Sequence, residues 1–249
     1  MKYSQKENKF CFSSHRLRHY ACLIFLFLCS CATYHTQAPV HDIDTYKVGN
    51  TLFCRIQNGD TLYAVAWRYE LDYRTLIQLN QLTPPYALHA GQSLRLNGET
   101  PSVPQTIYKT PLKSTLLPKT NEKKQAPFPN RITCWKWPAR GKIIQSFSSR
   151  NKGINLSSVY QAPIYAAADG EVVYAGNGLK RYGHLVIIKH NDSYLSAYAF
   201  NDQLFVRENE SVKAGQRIAT MGKTPAGKIQ LHFEIRKNGK PIDPLSLLQ

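Results

Sequence analysis

Two short segments carry the residues whose types and spacing bear most directly on chemistry: 150–156, Arg-Asn-Lys-Gly-Ile-Asn-Leu, and 230–236, Gln-Leu-His-Phe-Glu-Ile-Arg. A zinc hydrolase would want a His-x-x-x-Asp pair in the first and a His-x-His pair in the second. Imidazole nitrogens and a carboxylate oxygen then form a three-ligand site with one position open for water. This chain presents Asn151, Asn155, Gln230 and a single histidine, His232. A neutral amide oxygen brings neither charge nor imidazole basicity, so it is a poor zinc ligand. No catalytic zinc and no other cofactor is therefore expected here. Glu234 adjoins the site and, as an alternating strand residue, is expected to face away from it. His184 and His190 are read as strand residues with ordinary hydrogen bonds, not as a second metal site.

The elements that must position these side chains are strands. Runs at 171–174, 184–189, 194–198, 216–220 and 231–236 are rich in β-branched and aromatic residues. Asp169-Gly170, Asn191-Asp192 and Asn238-Gly239 punctuate them. The expectation is an antiparallel all-β domain over 135–249.

Asn151-Lys152-Gly153-Ile154-Asn155, the 166–176 run Ala-Ala-Ala-Asp-Gly-Glu-Val-Val-Tyr-Ala-Gly, the segments 188–192 and 194–199, and Leu231-His232-Phe233-Glu234-Ile235-Arg236 together resemble the LytM domain. That domain is the fold of the lysostaphin-type zinc endopeptidases of peptidoglycan. The resemblance is to its degenerate branch, the NlpD/EnvC-type murein hydrolase activators. It implies that Asn151, Asn155 and His232 stand where active relatives keep metal ligands. Phe200 and Gln230 stand where those enzymes keep two further catalytic histidines, and neither can do acid–base work at neutral pH. Asn155 departs from the activators too, which often keep Asp there. In that branch the emptied cleft is thought to bind an N-acetylmuramoyl-L-alanine amidase whose own zinc site is plugged by a regulatory helix. The resemblance makes Asn151, Asn155, Phe200, Gln230 and His232 the partner groove. Phe200 would either anchor the partner or fill the space left by missing ligands.

Residues 51–97 read as a compact βααβ unit. Residues 53–56 form a strand, and Asn58-Gly59-Asp60 a turn whose Asp60 can cap the next helix. That helix has an apolar stripe of Leu62, Val65, Ala66 and Tyr69, and a second helix runs over 73–80. Residues 92–96 close the unit. With Gly59-Asp60-Thr61-Leu62-Tyr63 and Ala90-Gly91-Gln92-Ser93-Leu94 it resembles a LysM domain. The resemblance implies binding to the N-acetylglucosamine-containing glycan of the wall, in a groove formed by Gly59, Asp60, Thr61, Leu62, Pro85 and Tyr86. Tyr86 would meet a sugar face or serve as a packing aromatic.

Residues 98–134 carry six prolines and no sustained apolar period. They read as a Pro- and Lys-rich linker whose ends average roughly 30 Å apart as a flexible coil. At the N-terminus, Lys2, Lys6, Lys9, Arg16 and Arg18 precede an apolar run at 21–28, too short for a stable bilayer span and suited to a secretory signal over 1–30. Leu28-Cys29-Ser30-Cys31 resembles a bacterial lipobox. It implies cleavage before Cys31, lipid on its sulfur, and a tether over 31–50. Ala32, after the lipidated position, points to the outer membrane. Export also turns the net charge of +16 toward wall carboxylates, anionic lipid or an acidic protein face, and away from nucleic acid. Cys54 and Cys134 remain in an oxidising compartment, as thiols or as a pair.

The fold expected is therefore mainly β: a small βααβ LysM module, a Pro-rich linker and an all-β antiparallel LytM domain. The function expected is that of a lipid-anchored, periplasm-facing protein that holds peptidoglycan and activates an amidase in septal wall splitting. An M23-type zinc endopeptidase and a non-activating wall-binding scaffold are the two alternatives.

Overall fold

The computed structural model describes residues 45–99, 132 and 134–249. The expected signal segment, Cys31 and the proline-rich stretch lie outside these.

The first lobe runs β1 (Thr45–Val48), β2 (Thr51–Arg55), α1 (Leu62–Arg68), α2 (Tyr73–Asn80) and β3 (Ser93–Arg95). Its sheet is antiparallel with order β1-β2-β3. The tether expected to reach residue 50 therefore ends earlier. Thr45, Tyr46 and Val48 supply β-forming side chains, and Gly49 takes φ +59° in the turn to β2. Thr61, not Asp60, caps α1, its hydroxyl accepting from the Ala64 N–H at 3.1 Å. Asp60 instead accepts the Gln57 N–H at 2.9 Å and pairs with Arg68 at 2.6 Å. Cys54, Ile56, Leu62, Val65, Ala66, Tyr73, Leu76, Leu94 and Leu96 form the core.

The second lobe contains β4 (Lys142–Gln145), β5 (Ile154–Ser157), β6 (Pro163–Tyr165), β7 (Gly170–Gly176), β8 (His184–Lys189), β9 (Tyr194–Leu204), β10 (Ser211–Val212), β11 (Arg217–Met221), β12 (Leu231–Lys237) and β13 (Lys240–Ile242). The main path of this antiparallel sheet is β10-β7-β8-β9-β12-β5-β4, with β11 joining β6 and β9, and β13 joining β12. Register fixes what each face holds. Phe233 pairs with Tyr198 and Ile154, so Leu231, Phe233 and Ile235 enter a core with Ile154, Leu156, Val186, Ile188 and Tyr198. His232 pairs with Ala199 and Asn155, Glu234 with Ala197, and Arg236 with Leu195, on the opposite face. No disulfide joins Cys54 and Cys134.

That opposite face carries a second apolar cluster, and α1 completes it. Ala64 and Trp67 pack with Val173, Tyr174, Leu179, Leu185, Ile187, Leu195, Ala197 and Ala199. Helix α1 is thus buried on two sides, its Leu62 stripe in its own lobe and its Ala64–Trp67 side against the sheet. Arg74 donates to the Asn238 side chain at 2.7 Å, Lys152 pairs with Glu70, and the backbone at Leu71–Asp72 lies so near Gly239 that a Cβ there would sit 2.5 Å from the Asp72 nitrogen.

Candidate functional site

The site lies where β4, β5, β9 and β12 meet. Antiparallel pairing sets Asn155 directly beside His232. Asn155 Oδ1 lies 2.6 Å from His232 Nδ1, and Asn155 Nδ2 donates to Gln145 Oε1 at 2.8 Å. His232 Nε2 lies 3.0 Å from Glu234 Oε1. Both ring nitrogens therefore face neighbouring side chains of the row, and neither is aimed into the open cleft. Asn151 is spent on its own loop, donating to the Gly153 carbonyl at 2.7 Å and the Ser146 carbonyl at 3.2 Å. Gln230 is buried two residues before His232. The donor set does not fit catalytic zinc: two amides and a committed imidazole supply no open three-ligand geometry. Among the described residues, no group of three or more His, Cys, Asp and Glu side chains is placed to hold a metal ion.

Glu234 does not face away. Residues i and i+2 of a strand share a face, so His232, Glu234 and Arg236 form one row. Arg236 donates to Glu234 Oε2 through Nε at 3.0 Å and Nη2 at 2.9 Å, and Glu234 and Arg236 are each 1% exposed. Burial pushes the Glu234 carboxyl up. The His232 hydrogen bond, then the Arg236 charge, more than reverse it and hold the group below its ordinary range. The row continues into the first lobe: Arg236 Nη1 donates to the Trp67 carbonyl at 2.9 Å, and its guanidinium lies 3.6 Å from the Trp67 ring centroid.

Two aromatics wall the row. The Tyr182 ring centroid is 6.2 Å from that of His232, and its hydroxyl donates to Glu234 Oε1 at 3.2 Å. Burial, and after it the Glu234 charge, raise that hydroxyl to about 12. Phe200 stands 6.4 Å from His232, half-buried, with φ +62°. A non-glycine residue in this region costs about 1–2 kcal/mol, which its packing with Tyr182 against the second cluster offsets. Tyr182, Gln145 and Arg236 are site residues that motif reasoning missed, and Glu234 is one that it turned the wrong way. Counting strand parity from His232 identifies two of them.

His184 and His190 do not join the site. His184 Nδ1 lies 3.0 Å from the Asp202 carbonyl, and His190 is buried between the Asp169 carbonyl and Ser196 Oγ on the core-ward face. Of the expected glycan-groove residues, Gly59 and Pro85 are exposed and Tyr86 is half-buried against its own core. Leu62 lies inside that core at 3% exposure, and Asp60 is held by Arg68. Thr61 turns its hydroxyl toward the Val173 carbonyl of the other lobe at 3.4 Å.

Residues 149–244 match Peptidase family M23, and residues 54–97 match the LysM domain. The chain is 42% identical over 199 residues to the lipoprotein YgeR of Escherichia coli strain K12, covering 78% of this chain and 79% of that one. It is 40% identical over 228 residues to the lipoprotein NlpD/LppB homolog of Pseudomonas aeruginosa, covering 78% and 75%. It is 36% identical over 264 residues to the murein hydrolase activator NlpD of Salmonella dublin, covering 82% and 69%.

Proposed function

Because the chain belongs to the NlpD-type lipoproteins, which pair a LysM domain with a peptidase M23 domain, we propose that it activates a murein hydrolase rather than cutting the wall itself. The enzyme activated is an N-acetylmuramoyl-L-alanine amidase, at septal wall splitting. The observation that carries this reading is the state of His232: the one histidine at the expected ligand positions has both nitrogens engaged, beside Asn155 and Glu234. Such a cleft offers neither a Lewis acid nor a water activated by one. It does offer a floor of hydrogen-bonding groups with half-buried aromatic rings beside it, Phe200 and Tyr182, which suits a docked helix or peptide. Binding shifts the amidase toward its unplugged form only through higher affinity for that form. The glycan contact belongs to the LysM groove at Gly59, Pro85 and Tyr86. Lipid on Cys31 holds the chain at the outer membrane, facing the periplasm.

The test is amidase affinity and stimulation by the full mature chain, compared with Phe200→Ala. A half-buried aromatic anchor at a partner interface contributes about 2 kcal/mol or more. The variant is expected to weaken binding by roughly thirtyfold or more, beyond the modest fall in thermal midpoint that losing its packing against the second cluster brings. Equal affinity beside a lowered thermal midpoint would make Phe200 a filler and move the docking surface elsewhere.

A further inference from the structure

The β1-β2-β3 sheet of the first lobe buries one face and leaves the other to solvent. Cys54 and Leu94 enter the core of the lobe. Alternation puts Tyr46, Val48, Phe53, Arg55 and Arg95 on the opposite side. Register aligns Tyr46, Phe53 and Arg95 in one cross-strand row. The Tyr46 and Phe53 rings stack with centroids 5.4 Å apart and planes 13° apart, and the Arg95 guanidinium lies 5.9 Å from the Phe53 centroid. The Tyr46 hydroxyl donates to Ser93 Oγ at 2.6 Å, which holds the ring in place. Beside this row Val48 is 61% exposed, and Tyr46 itself 38%.

Charge and chain connectivity point to what this face meets. The three strands carry Lys47, Arg55 and Arg95 and neither Asp nor Glu, which favours an anionic surface. Tyr46, Val48 and Phe53 precede the 54–97 match to the LysM domain, and none of the residues expected to grip glycan lies in these strands. Strand β1 is also the first described element after Cys31, fourteen residues on. A lipid on Cys31 therefore keeps β1 within about 50 Å of the bilayer, whatever path the tether takes. A phenol ring and long guanidinium stems suit the headgroup layer, which accommodates an apolar body and a polar tip together.

We propose that the outer face of the β1-β2-β3 sheet rests on an anionic phospholipid bilayer, with Tyr46 and Val48 among the headgroups and Arg55 and Arg95 on their phosphates. The proposal rests on the reading of Cys31 as lipidated and goes beyond the activator reading. Acyl chains supply the anchoring but leave orientation free. The sheet face supplies orientation: it lays the lobe on the membrane with its helices turned to the periplasm. The contact is weak by itself and falls with salt, because its electrostatic part acts within a Debye length of the surface.

The experiment is cosedimentation of the full mature chain carrying Cys31→Ser, so that no acyl chain contributes, with phosphatidylethanolamine–phosphatidylglycerol vesicles and with vesicles of phosphatidylcholine alone. Binding is expected to the anionic vesicles only. Arg55→Gln should weaken it about fivefold, as losing one cation at such a surface does, and Val48→Asp should weaken it further. Both side chains are exposed, so the thermal midpoints should match the parent's. Lys240→Gln, which removes an exposed cation of the second lobe, should leave binding unchanged and so separates this face from the net charge of the chain. Absence of binding to anionic vesicles overturns the proposal, and so does an equal loss with Lys240→Gln. Binding to isolated glycan strands that falls with Arg55→Gln and Val48→Asp, beside none to vesicles, would make the face a wall contact instead and overturn it as well. The mass of the chain taken from cells reads the lipid on Cys31 separately, so failure of the anchor reading and failure of this face are told apart.

Discussion

Two carboxylate contacts decide what the His232–Glu234–Arg236 row can do. Glu234 accepts from His232 and receives a two-pronged bond from Arg236 with all three side chains nearly excluded from water. Removing the acid leaves a buried guanidinium without its counterion, so Glu234→Ala is expected to lose about 3–5 kcal/mol in urea unfolding at pH 7. An unchanged midpoint would mean the row is not buried as described. His190 supplies a pH dependence at a separate place. Its Nδ1 lies 2.7 Å from the Asp169 carbonyl and its Nε2 2.7 Å from Ser196 Oγ, and burial lowers its pKa from 6.5 to about 4. The fold keeps this ring neutral while the unfolded chain takes up a proton first. The stabilisation is therefore complete above pH 6.5 and is lost as pH falls through about 4. About 3 kcal/mol is expected to disappear across that window, measurable as denaturant midpoints at pH 7 and at acid pH, with His190→Asn flattening the slope. At this scale the sequence showed which ligand types were missing, because amide and imidazole chemistry is written in residue names. It did not show that His232 is tied on both sides, since that depends on Gln145, Tyr182 and a neighbour two residues along the same strand.

Among the elements, β12 does most to organise the second lobe, with apolar Leu231, Phe233 and Ile235 on one face and the polar row on the other. Its neighbour β5 is reached through Gly153, where an added Cβ would sit 2.2 Å from the Phe233 carbonyl oxygen and 2.9 Å from Glu234 Cγ. Backbone oxygen cannot swing aside as a side chain can. Gly153→Ala is expected to cost at least about 1–3 kcal/mol and to lower the thermal midpoint by several degrees, and a midpoint equal to the parent's would contradict this packing. The longer strands were legible from β-branched runs, and α2 spans Tyr73–Asn80 as its spacing predicts. Strands β4, β6, β10 and β13 were not, being two to four residues long and held by register with partners distant in sequence. Helix α1 carried an unread signal. Trp67 falls off the stripe of Leu62, Val65 and Ala66, and a large apolar residue off the stripe marks a second buried side.

For the molecule as a whole, the sequence identified two modules but gave no contact between them, because a proline-rich stretch of 98–134 permits every arrangement. Physical contact follows from surfaces: Val173, Leu185, Ile187 and Leu195 would be exposed on the second lobe without Ala64 and Trp67. Residues 134–249 alone are expected to bind a hydrophobic dye and to self-associate, as apolar patches of that size do, whereas the longer chain should do neither. Equal behaviour of the two would argue that the lobes stay apart. The account's central claim concerns the cleft, and dye release from labelled sacculi tests it most directly. The arms are the full mature chain alone, the organism's amidase alone, and the mixture. The account predicts release only in the mixture. Release by the chain alone, abolished by a chelator, would contradict it and make Asn151, Asn155 and His232 a working metal site.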